Sequence, residues 1–165
     1  MSNVKTDQLK ELQALMEKLW ARTGLGDCVQ ISTVRRDDGS EHVEIVDTNY
    51  DIVVTEKGSE VQRTAGLSIS DAARRLLHVS AVAHACAAEV RDRRAPKDAP
   101  LLPGVLEDTG YSRWNWMAET VDIMSRISPE FGDWTLQEYR TVLSRYPLTD
   151  HEIRNARYPL PPEFV

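Results

Sequence analysis

The sequence has few of the residues that usually support metal or covalent chemistry. It holds only two cysteines, Cys28 and Cys86, and their separation matches no metal-binding motif. Two thiols in a chain of this size are typical of a reducing compartment, and we interpret both as small buried apolar residues. The four histidines, at positions 42, 78, 84 and 151, also fall into no ligand spacing. The sequence therefore predicts neither a metal nor another cofactor.

Long hydrophobic runs are missing as well. The longest apolar-leaning stretch, residues 79–90, is interrupted by Ser80, His84 and Glu89 and is shorter than the roughly 20 residues of a membrane span. The first residues become charged before any apolar run develops, which is unlike a signal peptide. We therefore expect a cytoplasmic protein with no membrane partner.

Recognisable catalytic motifs are also absent. No serine lies in a G-x-S-x-G turn, and no glycine-rich loop follows a strand pattern. Cys86 lies inside a helical pattern, away from a helix N-terminus that would activate its thiol. We expect a protein that binds rather than an enzyme. An active site assembled from scattered residues is the enzymatic alternative.

The charge balance indicates the kind of partner. The net charge of −6 repels nucleic-acid backbones and favours a basic protein partner. Acidic residues concentrate between positions 37 and 60, while arginines at positions 74–94 suggest that the helical half compensates. This pattern predicts an acidic field on one side of the molecule.

The length fits one domain over residues 1–165, and the periodicity predicts an α+β fold. Apolar residues at three- and four-residue spacing predict a first helix over 5–22. Alternation then predicts a four-stranded antiparallel meander over 29–33, 42–47, 50–56 and 59–64, with turns at Asp38-Gly39 and Lys57-Gly58. We expect the helices to cover one face of this sheet and the other face to be exposed to solvent.

The second half of the chain has helical patterns. A helix from about residue 71 to 93 is followed by a proline-rich loop over 95–104, and further helices are predicted over 114–127, from Thr135 and from Thr149. The last two begin with capping boxes, Thr135 with Glu138 and Thr149 with Glu152. The predicted core residues are Leu12, Met16, Leu19, Leu76, Val79, Ala83, Trp114, Met117, Val121 and Leu143.

Two groups of residues are candidates for contact with a partner. The first is the acidic group in the meander, which consists of Asp37, Asp38, Glu41, Glu44 and Asp51. The second is Arg113 with Trp116, because arginine and tryptophan are frequent among residues that dominate binding energy. The alternatives are a solvated sheet face for the acids and, for the tryptophans, a core position for Trp114 with Trp116 packed under the proline-rich loop.

The sequence also resembles a family of bacterial polymorphic-toxin immunity proteins, immunity protein 63. The resemblance is carried by Tyr50, by Glu56-Lys57-Gly58, by Glu60 with Arg63, and by the later step Tyr146-Pro147. It implies a small cytoplasmic α+β protein that binds a cognate toxin domain and blocks its activity. The competing interpretation is a small acidic secretion chaperone that binds an extended segment of an effector.

Overall fold

A computed structural model describes residues 2–94, 101, 103–104 and 107–164. The chain divides into two compact units, Met1–Leu77 and His78–Val165. The first contains helix α1 (Ser2–Trp20) and the strands β1 (Asp38–Val46), β2 (Asn49–Glu56) and β3 (Ser59–Leu67). Helix α2 (Ile69–Asp92) runs across the boundary into the second unit, which also contains α3 (Arg113–Ile127), α4 (Pro129–Arg145) and α5 (Asp150–Arg154).

Helix α1 buries the apolar stripe that its spacing predicted. Leu12, Met16 and Trp20 are fully buried, and the Trp20 indole N–H donates to the carbonyl of Leu25, 2.8 Å away. The helix passes into a short 3-10 turn that ends at Gly24, whose φ of 70° a residue with a side chain rarely adopts. The predicted helix is therefore confirmed, and it starts three residues earlier than expected.

The sheet has three antiparallel strands in the order β1-β2-β3, so the prediction of four strands is wrong. The stretch 29–33 forms no strand because α1 binds its backbone. The Gln13 side chain accepts from the Ile31 N–H at 2.9 Å and donates to the Val29 carbonyl at 3.2 Å. A single hydrogen bond, from the Val43 N–H to the Ser32 carbonyl at 2.8 Å, joins this stretch to β1.

The two predicted turns have different outcomes. Asp38 and Gly39 do not form a turn but begin β1, after Asp37 adopts a φ of 57°. Lys57 and Gly58 form the predicted two-residue turn between the paired residues Glu56 and Ser59, with φ values of 51° and 82°. Positive φ at both central positions matches the twist of a β-hairpin.

The expectation that one face of the sheet is substantially exposed does not hold for its central strand. The central strand β2 is buried on both faces, with Tyr50 and Ile52 on one and Asp51, Val53 and Thr55 on the other. His42, opposite Val53, is also buried. Exposure is concentrated in the edge strand β3.

Two helices of the second unit, α4 and α5, begin at residues with capping side chains. Ser128 ends α3 and caps α4 by accepting from the Phe131 N–H at 3.1 Å. Thr135 is therefore inside α4, where its hydroxyl donates to the Phe131 carbonyl, and the predicted helix start there is wrong. The capping box of Thr149 and Glu152 is present at the start of α5, as predicted.

The core of the second unit forms around α3, α4 and α5. Trp114, Met117, Tyr139, Leu143 and Leu148 make its buried cluster. Helices α3 and α4 approach so closely that a Cβ on Gly132 would lie 2.0 Å from the Ser125 hydroxyl oxygen.

The predicted core positions are confirmed only in part. Leu12, Met16, Trp114, Met117 and Leu143 are buried, while Leu19, Leu76 and Val121 are partly buried. Val79 is 48% exposed and Ala83 is also exposed, so their predicted burial is wrong. Most of the predicted loop over 95–104 lies outside the described residues. No helix in the described part of the chain is long and apolar enough to span a bilayer.

Candidate functional site

Three carboxylates surround a single guanidinium on the sheet, and we call this group the Arg63 cluster: Glu44, Asp51, Glu60 and Arg63. Glu44 and Asp51 are directly opposite each other in the β1–β2 register. Two like charges in that position destabilise a strand pair unless a cation lies between them. Arg63, on β3, supplies that cation, since its Nη atoms lie 2.9 Å from Glu44 and 2.7 Å from Asp51.

The guanidinium of Arg63 also binds Glu60 with two parallel hydrogen bonds. Its Nε and Nη2 donate to the two oxygens of Glu60 at 2.9 and 2.8 Å. This fork is the geometry in which arginine binds a carboxylate best. The side chain of Arg63 therefore holds all three carboxylates in place.

The pKa values of all three carboxyl groups are lowered. Arg63 is the main cause for Glu44 and for Glu60. For Asp51 the largest contribution to the lowered pKa is the hydrogen bond from the Gly66 N–H, at 2.9 Å, and Arg63 adds to it. The carboxylates are therefore ionised at neutral pH, and the cluster has an excess of two negative charges.

Solvent reaches only part of this excess charge. The side chains of Glu44 and Glu60 are 42% and 43% exposed, whereas that of Asp51 is only 7% exposed. Asp51 was predicted as a contact residue, but its burial removes it from the surface that a partner can touch. The neighbouring His42 is buried, with its Nε2 3.2 Å from Glu44.

The acidic residues at the start of β1 have a different setting. Asp37 pairs with Arg35 at 2.8 Å, and the Asp38 carboxylate accepts from Ser40, which lowers the pKa of Asp38. Opposite Asp38 in the register is Glu56, and the Lys57 amine lies 3.9 Å from Glu56. Basic side chains here balance the charges of Asp37 and Glu56.

Glu41 is half-buried, so it offers a partner less surface than its sequence position suggests. Burial raises the pKa of Glu41, and the charge of Arg75 opposes that rise.

The net charges of the two units do not show the predicted one-sided field, because each unit has 13 acidic and 10 basic side chains and a net charge of −3. The local excess at the Arg63 cluster is what distinguishes this surface.

Arg113, predicted as a contact residue, is 25% exposed and binds several groups of the second unit, and we call this arrangement the Arg113 clamp. Its Nε and Nη2 donate to the two oxygens of Glu152 at 2.6 and 2.8 Å. It also donates to the backbone carbonyls of Tyr146 and Pro147 at 3.1 and 2.7 Å. Arg113 thus fixes the turn between α4 and α5.

The second predicted contact residue of this unit, Trp116, packs against the core. Its indole N–H donates to the Tyr111 hydroxyl at 3.3 Å, and its ring lies edge-on to Tyr139 with centroids 5.8 Å apart. The side chain is only partly exposed. These contacts show Trp116 packed against Tyr111 and Tyr139. Most of the proline-rich loop, under which the alternative places Trp116, lies outside the described residues.

Sequence reasoning missed a second buried carboxylate, Asp108. It accepts hydrogen bonds from Arg154 at 2.5 Å, from Asn155 at 2.9 Å and from the Gly110 N–H at 2.9 Å. Burial by itself would raise the pKa of Asp108, but these bonds outweigh it and hold the pKa well below the usual range. More than 40 residues separate Asp108 from Arg154 and Asn155, so no local motif could reveal the contact.

Comparison with known proteins identifies the family. A family model described as immunity protein 63 matches residues 47–141. The chain belongs to the immunity protein 63 family. The comparisons with curated proteins and with solved structures find no match.

Several residues that carried the resemblance to the immunity protein 63 family have local structural roles. The Tyr50 hydroxyl donates to the Gln8 carbonyl at 3.0 Å and so links β2 to α1. Gly58 supplies positive φ in the hairpin, and Glu60 and Arg63 belong to the Arg63 cluster. Tyr146-Pro147 lies beyond the matched residues, and its carbonyls bind Arg113.

No group of three ligand-type side chains in the described residues could hold a metal ion.

Proposed function

We propose that this protein is an immunity protein that binds and neutralises the toxin domain encoded beside it. Membership of the immunity protein 63 family is the observation that carries this proposal. The protein acts by direct contact, so it needs neither a nucleophile nor a cofactor. Binding takes place in the cytoplasm, where the toxin domain would otherwise reach its substrate.

The Arg63 cluster is the part of the first unit that suits a basic toxin surface. Its two excess negative charges are partly exposed on Glu44 and Glu60, and a concentrated charge of one sign accelerates association with an oppositely charged partner. Asp37 and Asp38 extend the contact, while Glu41 contributes less because it is half-buried. A toxin that binds nucleic acid or another anion would have its basic cleft covered.

The competing function, a secretion chaperone, differs in the state of its client. A chaperone binds an extended chain, whereas an immunity protein binds a folded domain. The same purified protein can be offered both forms of the client. Tight binding to the folded toxin domain and none to an extended effector segment supports immunity.

The contact surface is tested by neutralising its exposed carboxylates. We expect Glu44→Gln with Glu60→Gln to slow association with the purified toxin domain about tenfold at low salt. The difference should shrink at high salt, because ions screen the attraction. Surface-plasmon kinetics at two ionic strengths, beside rescue of bacterial growth, are the measurements.

A matched control removes two charges elsewhere. Asp133 and Glu138 are exposed on α4, and Asp133→Asn with Glu138→Gln changes the net charge equally. If both double variants slow association to the same degree, only the total charge matters and the Arg63 cluster is not the contact. If the wild-type protein fails to bind the folded domain, the immunity function itself is wrong.

A further inference from the structure

An apolar groove lies in the second unit between α4, α5 and the C-terminal segment. Its volume is about 630 Å³, within the range of about 300–1,000 Å³ that is usual for binding pockets. Leu143, Leu148, Ile153 and Phe164 supply its apolar lining, and Arg140, Asp150 and Glu163 supply its charged groups. The groove is far too large to be a packing defect, so it can accept a group from outside.

The walls of the groove are fixed before any partner arrives. Leu143 and Leu148 belong to the buried core cluster. The Arg113 clamp fixes the turn at Tyr146 and Pro147. A preformed site binds at a lower entropic cost than one that must order itself.

The C-terminal wall is fixed in a similar way. The Trp114 indole N–H donates to the Pro159 carbonyl at 3.0 Å, and the Trp114 and Phe164 rings meet edge-on with centroids 5.5 Å apart. Arg140 joins this segment to α4 through an ion pair with Glu163 at 2.9 Å. Both long walls are therefore held by specific bonds.

The charges at the groove indicate the chemistry of its occupant. Glu163 neutralises Arg140, whereas Asp150 is exposed and has no ion pair within the described residues. The groove thus offers an apolar interior beside one unbalanced negative charge. It is complementary to a large apolar side chain with a lysine or arginine next to it.

We propose that this groove receives an apolar anchor residue of the toxin domain, whose neighbouring basic residue pairs with Asp150. The proposal rests on the immunity function proposed above and adds a second contact, independent of the Arg63 cluster. A large side chain enclosed in a preformed pocket is the usual form of a dominant binding contact. The groove then contributes to the lifetime of the complex, while exposed charges contribute to the rate of association.

The test fills the groove without altering its core residues. Ser144 lines the groove from the exposed side of α4, and Ser144→Trp places a large ring inside it. We expect the dissociation constant for the purified toxin domain to rise at least tenfold by calorimetry. Val142, exposed on the same helix and not part of the lining, gives the matched control Val142→Trp, which should bind as the wild type does.

A second variant tests the charge of the groove. We expect Asp150→Lys to weaken binding more than Asp150→Asn, because it repels the basic residue of the toxin as well as losing the ion pair. This pair also decides the question if Ser144→Trp fails to fold. Unchanged affinity in folded Ser144→Trp, or equal effects of the two Asp150 variants, would overturn the groove proposal. Failure of the wild-type protein to bind would overturn the immunity function instead.

Discussion

The two arginine-centred groups use the same side chain in opposite ways. Arg113 binds one carboxylate and two backbone carbonyls, so the charges of the clamp cancel. Arg63 binds three carboxylates, so its cluster retains an excess negative charge. Glu152 is buried in the clamp, whereas Glu44 and Glu60 remain partly exposed.

The difference separates a structural role from a binding role. In a balanced and buried ion pair, removing one partner leaves an unpaired charge in the interior and so destabilises the fold. An unbalanced and exposed group contributes little to stability, but its local electric field attracts an oppositely charged partner. The predictions below test this distinction, beginning with the largest expected effect.

Removing Arg113 should have the largest effect on stability. We expect Arg113→Met to lower the free energy of unfolding by about 3–5 kcal/mol, because Glu152 is then left buried without a partner. Arg113→Lys should lose less, since it keeps the charge but not the two-pronged geometry. Urea denaturation measures both. A loss below about 1 kcal/mol in Arg113→Met would show that the clamp is not structural.

The pH dependence of the unfolding free energy should also reveal the contribution of the Arg113 clamp. Burial by itself raises the pKa of Glu152, but the hydrogen bonds from Arg113 and Thr149 outweigh it and lower the pKa from the ordinary 4.5 to about 2. A lowered pKa stabilises the folded state at pH values above the ordinary pKa of 4.5. This contribution is lost as the pH falls towards 2.

The variant Glu152→Gln isolates that contribution. We expect its deficit in unfolding free energy to be largest at neutral pH and to shrink between pH 4.5 and 2, as measured by urea denaturation at a series of pH values. In an Arg113→Met background the deficit at neutral pH should disappear, because Glu152 then lacks the ion pair that lowers its pKa against the effect of burial. A deficit that stays constant over the whole range would contradict the assignment.

Neutralising the Arg63 cluster should have the smallest effect on stability. We expect Glu44→Gln to change the unfolding free energy by less than about 1 kcal/mol, because its side chain is partly exposed and Arg63 keeps its other two carboxylates. The same urea series measures it beside Glu152→Gln. If Glu44→Gln destabilises the protein as much as Glu152→Gln does, the two groups do not differ in the way proposed.

Local patterns predicted the elements whose stability is local. The stripe of Leu12 and Met16, the Lys57-Gly58 turn and the Thr149 capping box all occur where the sequence placed them. Each depends on contacts within a few residues, or on a periodicity that requires only that some face be buried. The family motif around Glu60 and Arg63 also lies in the predicted hairpin.

Local patterns gave wrong predictions where distant parts of the chain decided the outcome. The alternation over 29–33 favoured a strand, but Gln13 took its hydrogen bonds. The stripe of Val79 and Ala83 favoured a core position, yet both are exposed. Helical spacing identifies residues that share a face, but it cannot say which face the rest of the chain will cover.

For the candidate contact residues too, the sequence predicted the residue types but not their tertiary surroundings. Acidic residues in the meander were visible as a group, but the sequence could not separate the exposed Glu44 from the buried Asp51. Nor could it show that Arg113 was already bound, since Glu152 is 39 residues away.

By itself, the sequence determined the α+β class, the antiparallel hairpins, the main helices and the family, because these depend on periodicity, turn chemistry and short motifs. Only the tertiary structure decided the number of strands and the partners of Arg63 and Arg113. It also formed the groove beside α5 from residues of three separate segments. The physical reason is that a charge or an apolar side chain acquires its role from the partners that folding places around it, and those partners lie far away along the chain.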